Sequence, residues 1–549
     1  MKRFIFISLC IILSFSGTSQ VVYQDLTWSS LYDFIDELAN LKVITITSVV
    51  KPYSREFIAE KLKEASEQRD KLSKRQKKEL DFYMKDFNLE INPDLSWFKK
   101  GKGLFKNNPH SGSSGNPPAF LYRDSLFTFS FRPIWGILAN VNENGSGTHR
   151  WGGVEVFGYV THHVGFYASL RDNNEHQILT DPHYLNQEEG AAWKNYTNEA
   201  GDYSEMRGGI SYSWNWGTLT LAKDHFQWGD NYHGSNIFSG RTPSFPFLQL
   251  EMKPCKWFNY HWLGGMLISQ VIDSSRTYYI PQDIRNYYFN KFLAAALMTF
   301  TPVKGLDISA GNSVISCADY FNPAFLSPFL FFTRFKYSGN AFQDNYFGNN
   351  SQAFINVSSR NINHLHLYGS VFMDDFNWKA LVEKGRHNFF SYKAGFRLSD
   401  FPVRDFAFTT EYTFTDPMTY KSSKQTLTFA SNKFNLGNYL RDNSQEIYVA
   451  LDWRPIRGLI CTLSWELSEH GKDDVFPEME DPYAVPVLSG LEWKSNITGL
   501  NLRYEVLNDC YIFGGIIHRI ISGNNPEYFT PEMLHGETNT LNAGFNIGF

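Results

Sequence analysis

The chain has 549 residues, with 51 Lys and Arg against 56 Asp and Glu, a net charge of −5. This excludes a nucleic-acid binder held by a basic face. Charged residues make up only 19% and aromatics 17%, yet mean hydropathy is −0.35. That combination excludes a bundle of membrane helices and suits a membrane β-barrel, in which each strand is apolar on one side only.

Lys2 and Arg3 precede an apolar run from Phe4 to Phe15, and Gly17 and Ser19 supply the small residues of a cleavage site. Residues 1–19 therefore read as a secretory signal peptide. The run is well short of the ~20 residues that a membrane helix needs. No later run reaches ~18 apolar residues, so the mature chain is expected to be secreted or to span a membrane as a barrel. Cys255, Cys317, Cys461 and Cys510 match no zinc or redox spacing and are expected as free thiols.

Residues 20–100 read as a small helical bundle with its own core. Leu31, Phe34, Ile35 and Leu38 recur at helical spacing, with Ser29 or Ser30 as cap. Ser54 caps a second stripe of Phe57, Ile58, Leu62 and Ala65. Ser73 and Gln76 form a capping box before Leu80, Tyr83, Met84 and Phe87. Residues 101–120, rich in Gly, Ser, Asn and Pro, read as a linker.

From residue 121 to 549 the period changes to two. In the last segment Leu541, Ala543, Phe545, Ile547 and Phe549 alternate with small or polar residues. A terminal Phe549 after such alternation resembles the signal read by the outer-membrane barrel-assembly machinery. Four turns share Pro, one residue and then a base: 254–256, 302–304, 402–404 and 455–457. Each base is expected to anchor near the polar membrane surface. Long connections such as 271–290, 316–350 and 415–444 separate these turns, the short-and-long pattern of outer-membrane barrels. We count 18 antiparallel strands, the first two at 125–132 and 151–160. This gives a transmembrane β-barrel that starts and ends on the side of the helices.

Inward phases predict a polar lumen that includes Arg171, Arg207, Asp224, Glu251, His364, His366, Arg397, Glu411, Glu466 and Arg503. These residues fit either a salt-bridged filling or a path for solute or sugar. His364 and His366 share a strand face in this reading but lack a third ligand, so no metal site is assigned. No nucleophile, metalloprotease or phosphate-loop motif is present, and neither catalytic residues nor a cofactor are expected. The loop from 225 to 246 mixes aromatics, amides, acids and an Arg. Trp228, Asp230, Tyr232 and Arg241 are candidate glycan contacts near the outer mouth. The competing reading is a loop that folds into the barrel and packs there.

The segment Lys223-Asp224, Trp228-Gly229, Gly234-Ser235, Pro243-Ser244-Phe245-Pro246 resembles the signature region of the Wzi-type capsule-assembly family. So do Tyr32 to Ala39, Lys51-Pro52-Tyr53-Ser54-Arg55, Asn438 to Ser444 and Trp453-Arg454-Pro455. The resemblance implies an 18-stranded outer-membrane barrel with a periplasmic helical bundle that associates capsular polysaccharide with the cell surface. The expected partners are surface or capsular polysaccharide, outer-membrane lipid, the barrel-assembly machinery and a periplasmic partner of the bundle. The alternatives are a porin-like channel for solute or glycan and an accessory of a secretion or motility complex.

Overall fold

The computed structural model describes residues 20–91, 111–113 and 120–548, without 125, 198–199, 281–282, 321–347, 376 and 477–479. Residues 1–19, expected as a signal peptide, most of the expected linker and Phe549 lie outside the described residues.

Eighteen strands form the barrel. In chain order they are β1 Phe127–Asn142, β2 Gly145–Val160, β3 Val164–His176, β4 Ala200–Trp214, β5 Gly217–Asp224 and β6 Phe245–Cys255. Then come β7 Phe258–Ile272, β8 Tyr288–Val303, β9 Leu306–Cys317, β10 Gly348–Ser359, β11 Leu365–Asp375 and β12 Phe389–Ser399. The last six are β13 Phe406–Thr415, β14 Ser444–Trp453, β15 Leu459–His470, β16 Trp493–Leu507, β17 Cys510–Ser522 and β18 Glu537–Ile547. All neighbours are antiparallel, and β18 closes on β1 from Leu541↔Val141 to Ile547↔Trp135. Closure removes the unpaired edges that an open sheet would expose. The period-two pattern sorts side chains as expected. On β4, Met206, Ile210 and Tyr212 are exposed outward, while Tyr203, Glu205, Ser211 and Ser213 are buried inward.

One expected loop is absent. Residues 133–150, read as a connection, continue β1 and β2 and turn only at Glu143 and Asn144. Pro133 lies between the stretch of β1 that pairs with Phe120–Arg123 and the stretch that pairs with β18. A residue without an amide proton is tolerated at such a gap in the ladder.

The N-terminal helices are α1 Ser29–Asn40, α2 Arg55–Glu67, α3 Lys74–Asp86 and the short α4 Asn88–Ile91. The Ser54 hydroxyl accepts from the Phe57 amide, and the Ser73–Gln76 capping box is formed. α1 departs from expectation: Trp28 occupies its N-cap position without a side-chain cap bond. The Ser30 hydroxyl is used elsewhere, donating to Glu505 at 2.6 Å. Leu31, Phe34, Ile35, Leu38, Leu62, Leu80, Tyr83 and Phe87 form one buried cluster. Losing the box through Ser73→Ala is expected to cost about 1 kcal/mol, read as a lower melting temperature of the helical signal alone.

The bundle closes the short-turn end of the barrel. Glu505 on β16 accepts from Trp28 Nε1 at 2.7 Å, Ser30 Oγ at 2.6 Å and Tyr83 Oη at 2.8 Å. Asp36 pairs with Arg360 at 3.0 Å, and Arg75 pairs with Asp405 at 2.5 Å. Asp86 pairs with Arg132 at 2.5 Å. Glu37 is gripped by Arg75 and by Arg454, the latter at 2.8 Å. One turn base, Arg457, faces the helices instead of the membrane surface, and so does its neighbour Arg454. Arg457 covers the Phe82 ring at 4.3 Å, and Arg454, just before Pro455, holds Glu37.

Burial would raise the Glu37 carboxyl, but Arg75 and Arg454 outweigh it and hold it down, from 4.5 to about 2. A depressed carboxylate contributes stability that is fully present above its unfolded value and lost as the pH falls through its folded one. This contact should therefore hold unchanged down to about pH 4.5 and fail as the pH falls towards 2.

Candidate functional site

The loop after β5 runs inward. β5 has only eight residues, so the wall is low here and the chain leaves it inside the barrel. Gly229, Gly234 and Gly240 take φ of +102°, +75° and +73°, a region open to glycine. Gln227 and Trp228 pair as a short strand with Val50 and Lys51 of the helical segment. Bundle and loop therefore meet inside the lumen.

This placement corrects the expectation of a loop at the mouth. Trp228 is 2% exposed and packs among Phe226, Phe238 and Phe354. Asp230 accepts from the Ser48 hydroxyl and from Asn356 Nδ2, the latter at 2.7 Å. The Tyr232 hydroxyl meets His366 Nδ1 at 2.9 Å, and its ring lies 4.6 Å from the Arg397 guanidinium. Arg241 donates to the Glu188 carbonyl and covers the Tyr439 ring at 5.3 Å. The cause is hydrophobic. The inner wall of β6 to β11 carries Phe247, Leu263, Leu267, Leu293, Leu297, Ile315, Phe354 and Phe372. Trp228, Ile237 and Phe238 cover them, joined by Leu427, Phe429 and Leu436 from a second inward loop, 416–443. That second loop was expected outside; its apolar residues were the signal that it packs.

The remaining predicted lumen residues face inward as ion pairs. Arg207 pairs with Asp25 and with Asp224, the latter at 3.2 Å. Arg171 meets Glu189 at 3.3 Å, Glu251 meets Lys253 at 2.8 Å, and Arg397 meets Asp452 at 2.8 Å. Glu411 meets Lys393 at 2.6 Å, and Arg503 faces Asp33 at 3.7 Å. Glu466 accepts from His233 at 3.1 Å. His366 is in the lumen, bonded to Ser358 at 2.8 Å. His364 is a correction: it sits in the turn before β11 with φ +69°, its ring against the Ser399 carbonyl. It shares no strand face with His366. Sequence reasoning missed the helix-side counter-ions Asp25, Asp33, Asp36 and Glu37, because pairing across hundreds of residues leaves no local pattern. It also missed His233. Burial lowers the proton affinity of that ring, but Glu446 and Glu466 raise it to about 10.

Two spaces remain. A cavity of about 520 Å³ runs from Asp33 and Asp36 past Tyr232, Arg207 and Arg241 to Glu188 and Glu189. A second of about 270 Å³ lies at the long-loop end, between β7, β8 and loop 416–443. Its floor is Tyr420 and Phe429, and Gln270, Gln425, Lys433 and Asn435 also line it. Lys291 is buried there and donates only to the Thr428 carbonyl at 2.7 Å and its hydroxyl at 3.4 Å. Among the described residues it meets no carboxylate. Arg441, which also lines the pocket, pairs with Asp473 at 3.3 Å and leaves Nε and Nη2 without partners. A buried amine with only neutral acceptors gains most from an arriving anion, which favours its charged form.

Fold and site together define an outer-membrane-type β-barrel whose lumen is filled by a helical bundle and two inward loops. No protein-family model matches the sequence, and no curated protein matches it. Among solved structures it is similar to Wzi, an outer-membrane protein involved in group 1 capsule assembly in Escherichia coli and described as a carbohydrate-binding β-barrel. The identity is 12% and the TM-score 0.54, over 97% of this chain and all of that one. More distant are OccAB2 of Acinetobacter baumannii, at 10% identity and TM-score 0.42 over 77% of this chain and 99% of its own. OprD of Pseudomonas aeruginosa follows, at 9% and 0.40 over 76% and 94%.

Proposed function

We propose that this chain is a non-catalytic barrel of the outer membrane that holds surface polysaccharide at its outer mouth, with the helices facing the periplasm. The observation that carries the reading is the outer pocket around Lys291. It joins Lys291, bonded only to Thr428, and the unpartnered Nε and Nη2 of Arg441 to a floor of aromatic rings and a rim of amides, with Asp442 and Asp473 also on its wall. Aromatic faces stack on sugars, amides bond hydroxyls, and the two cations suit a carboxylate or phosphate on the glycan. Occupied from both ends, the lumen supports binding over transport. The likeness in fold to a carbohydrate-binding barrel supports the same reading.

The test is Lys291→Met with Arg441→Gln, which keeps volume and removes the charges. Losing two charged hydrogen bonds, at ~1.5–3 kcal/mol each, should weaken binding of acidic polysaccharide by at least tenfold. Melting temperature should change little, because Lys291 has no counter-ion in the empty protein and Asp473 keeps Lys421 when Arg441 is replaced. Unchanged retention of polysaccharide on cells carrying the double variant would remove the pocket from the function.

A further inference from the structure

The geometry points to a site for a divalent cation of the zinc class inside the barrel, with His233 Nε2, Glu446 Oε1 and Glu466 Oε2 as ligands. Three chain segments bring them together: the inward loop, β14 and β15. Nε2 lies 3.1 Å from the Glu466 oxygen and 3.4 Å from that of Glu446, and all three atoms fall within 4.8 Å of one another. Bonds of ~2.0–2.2 Å in a tetrahedral array place ligand atoms ~3.3–3.5 Å apart. The two spacings from His233 lie close to that edge, and the two carboxylates come within 4.8 Å of each other. One imidazole and two carboxylates are ligands that zinc accepts.

The ligands are also held in place, as a metal site requires. The His233 ring stacks flat on Tyr448, with centroids 3.7 Å apart and planes 6° apart. Its backbone is fixed on both sides. The Tyr232 and His233 amides donate to Glu411 at 2.6 and 3.1 Å, and Lys393 donates to the His233 carbonyl at 3.2 Å. The Tyr439 hydroxyl reaches Glu446 and, at 3.3 Å, Glu466; Ser468 donates to Glu466 at 2.9 Å. Glu446 is sealed, with its side chain 1% exposed, whereas His233 and Glu466 keep 17% and 15%. A fourth ligand, water or the Tyr439 oxygen, can therefore complete the shell. A bound ion would clamp the tip of the loop, at the Gly234 turn, to the opposite wall of the barrel.

The experiment uses the full-length protein in detergent, stripped with chelator and titrated with Zn²⁺ by calorimetry, with Co²⁺ as a spectroscopic probe. One equivalent of Zn²⁺ is expected, with tetrahedral visible bands from Co²⁺. His233→Gln and Glu466→Gln should each weaken Zn²⁺ binding at least tenfold and abolish the bands. Each variant is first checked for heat-modifiable migration as a folded barrel, and Glu446→Gln replaces either that fails. Absence of a saturable equivalent in the wild type overturns the site. So does an equivalent that survives unchanged in the folded variants. If the wild type takes no Zn²⁺ and His233→Gln lowers only the melting temperature, the cluster is an ion pair and the proposal is wrong.

Discussion

Glu37→Ala should undock the helical bundle from the barrel. Among the described residues, Glu37 is the one carboxylate gripped by both Arg75, from α3, and Arg454, from the turn between β14 and β15. Gln76 also donates to it at 2.7 Å. All three ionic side chains are about 5% exposed. Removing the acid leaves two guanidinium groups in a site with little water. Arg75 would retain Glu79 and Asp405, while Arg454 would retain only Asp33 at 3.7 Å. Breaking a buried pair by deleting one partner costs about 3–5 kcal/mol, since the remaining charge stays desolvated. The expected results are faster proteolysis of residues 20–91 and a melting temperature several degrees lower. Glu37→Gln should recover part of the loss by keeping an acceptor. Equal protease resistance in wild type and Glu37→Ala would show that the docking rests on the apolar contacts alone.

The second large effect is Trp228→Ala. Its composition made this residue a candidate for stacking on sugar, but it lies among Phe226, Phe238 and Phe354, with its backbone paired to Val50. Truncating a buried Trp removes a large apolar area and leaves a cavity, at about 3–5 kcal/mol. The variant should therefore melt earlier and let small solutes leak, while polysaccharide binding by the fraction still folded should stay within twofold. Lys291→Met is expected to do the reverse. Loss of polysaccharide from a Trp228→Ala barrel of unchanged stability would return the inward loop to the binding site.

Strand number and phase were legible because an outward face must be apolar whatever fills the barrel, so residues such as Leu463, Trp465, Ile447 and Leu451 mark their strands. The helix caps at Ser54 and Ser73 were legible because capping is local. The fill of the lumen was not. The inward faces of β6 to β11 carry Leu263, Leu293, Phe354 and Phe372 where a wet lumen would carry polar groups, and their partners come from loops far along the chain. Arg207 and Asp224 could be paired from the sequence, being on adjacent strands. Asp25, the third member of that cluster, could not. The outer pocket was equally hidden, since Lys291 and Arg441 meet only through the fold of loop 416–443.

A barrel closed in this way, and used for binding as proposed, should not act as a pore. Planar-bilayer recording of the full-length protein tests it most directly. With the bundle and both inward loops in place, insertion should give no steady conductance, and current should appear only when that filling is loosened, as in Glu37→Ala or Trp228→Ala. A steady ohmic conductance from the intact wild-type protein would contradict the account.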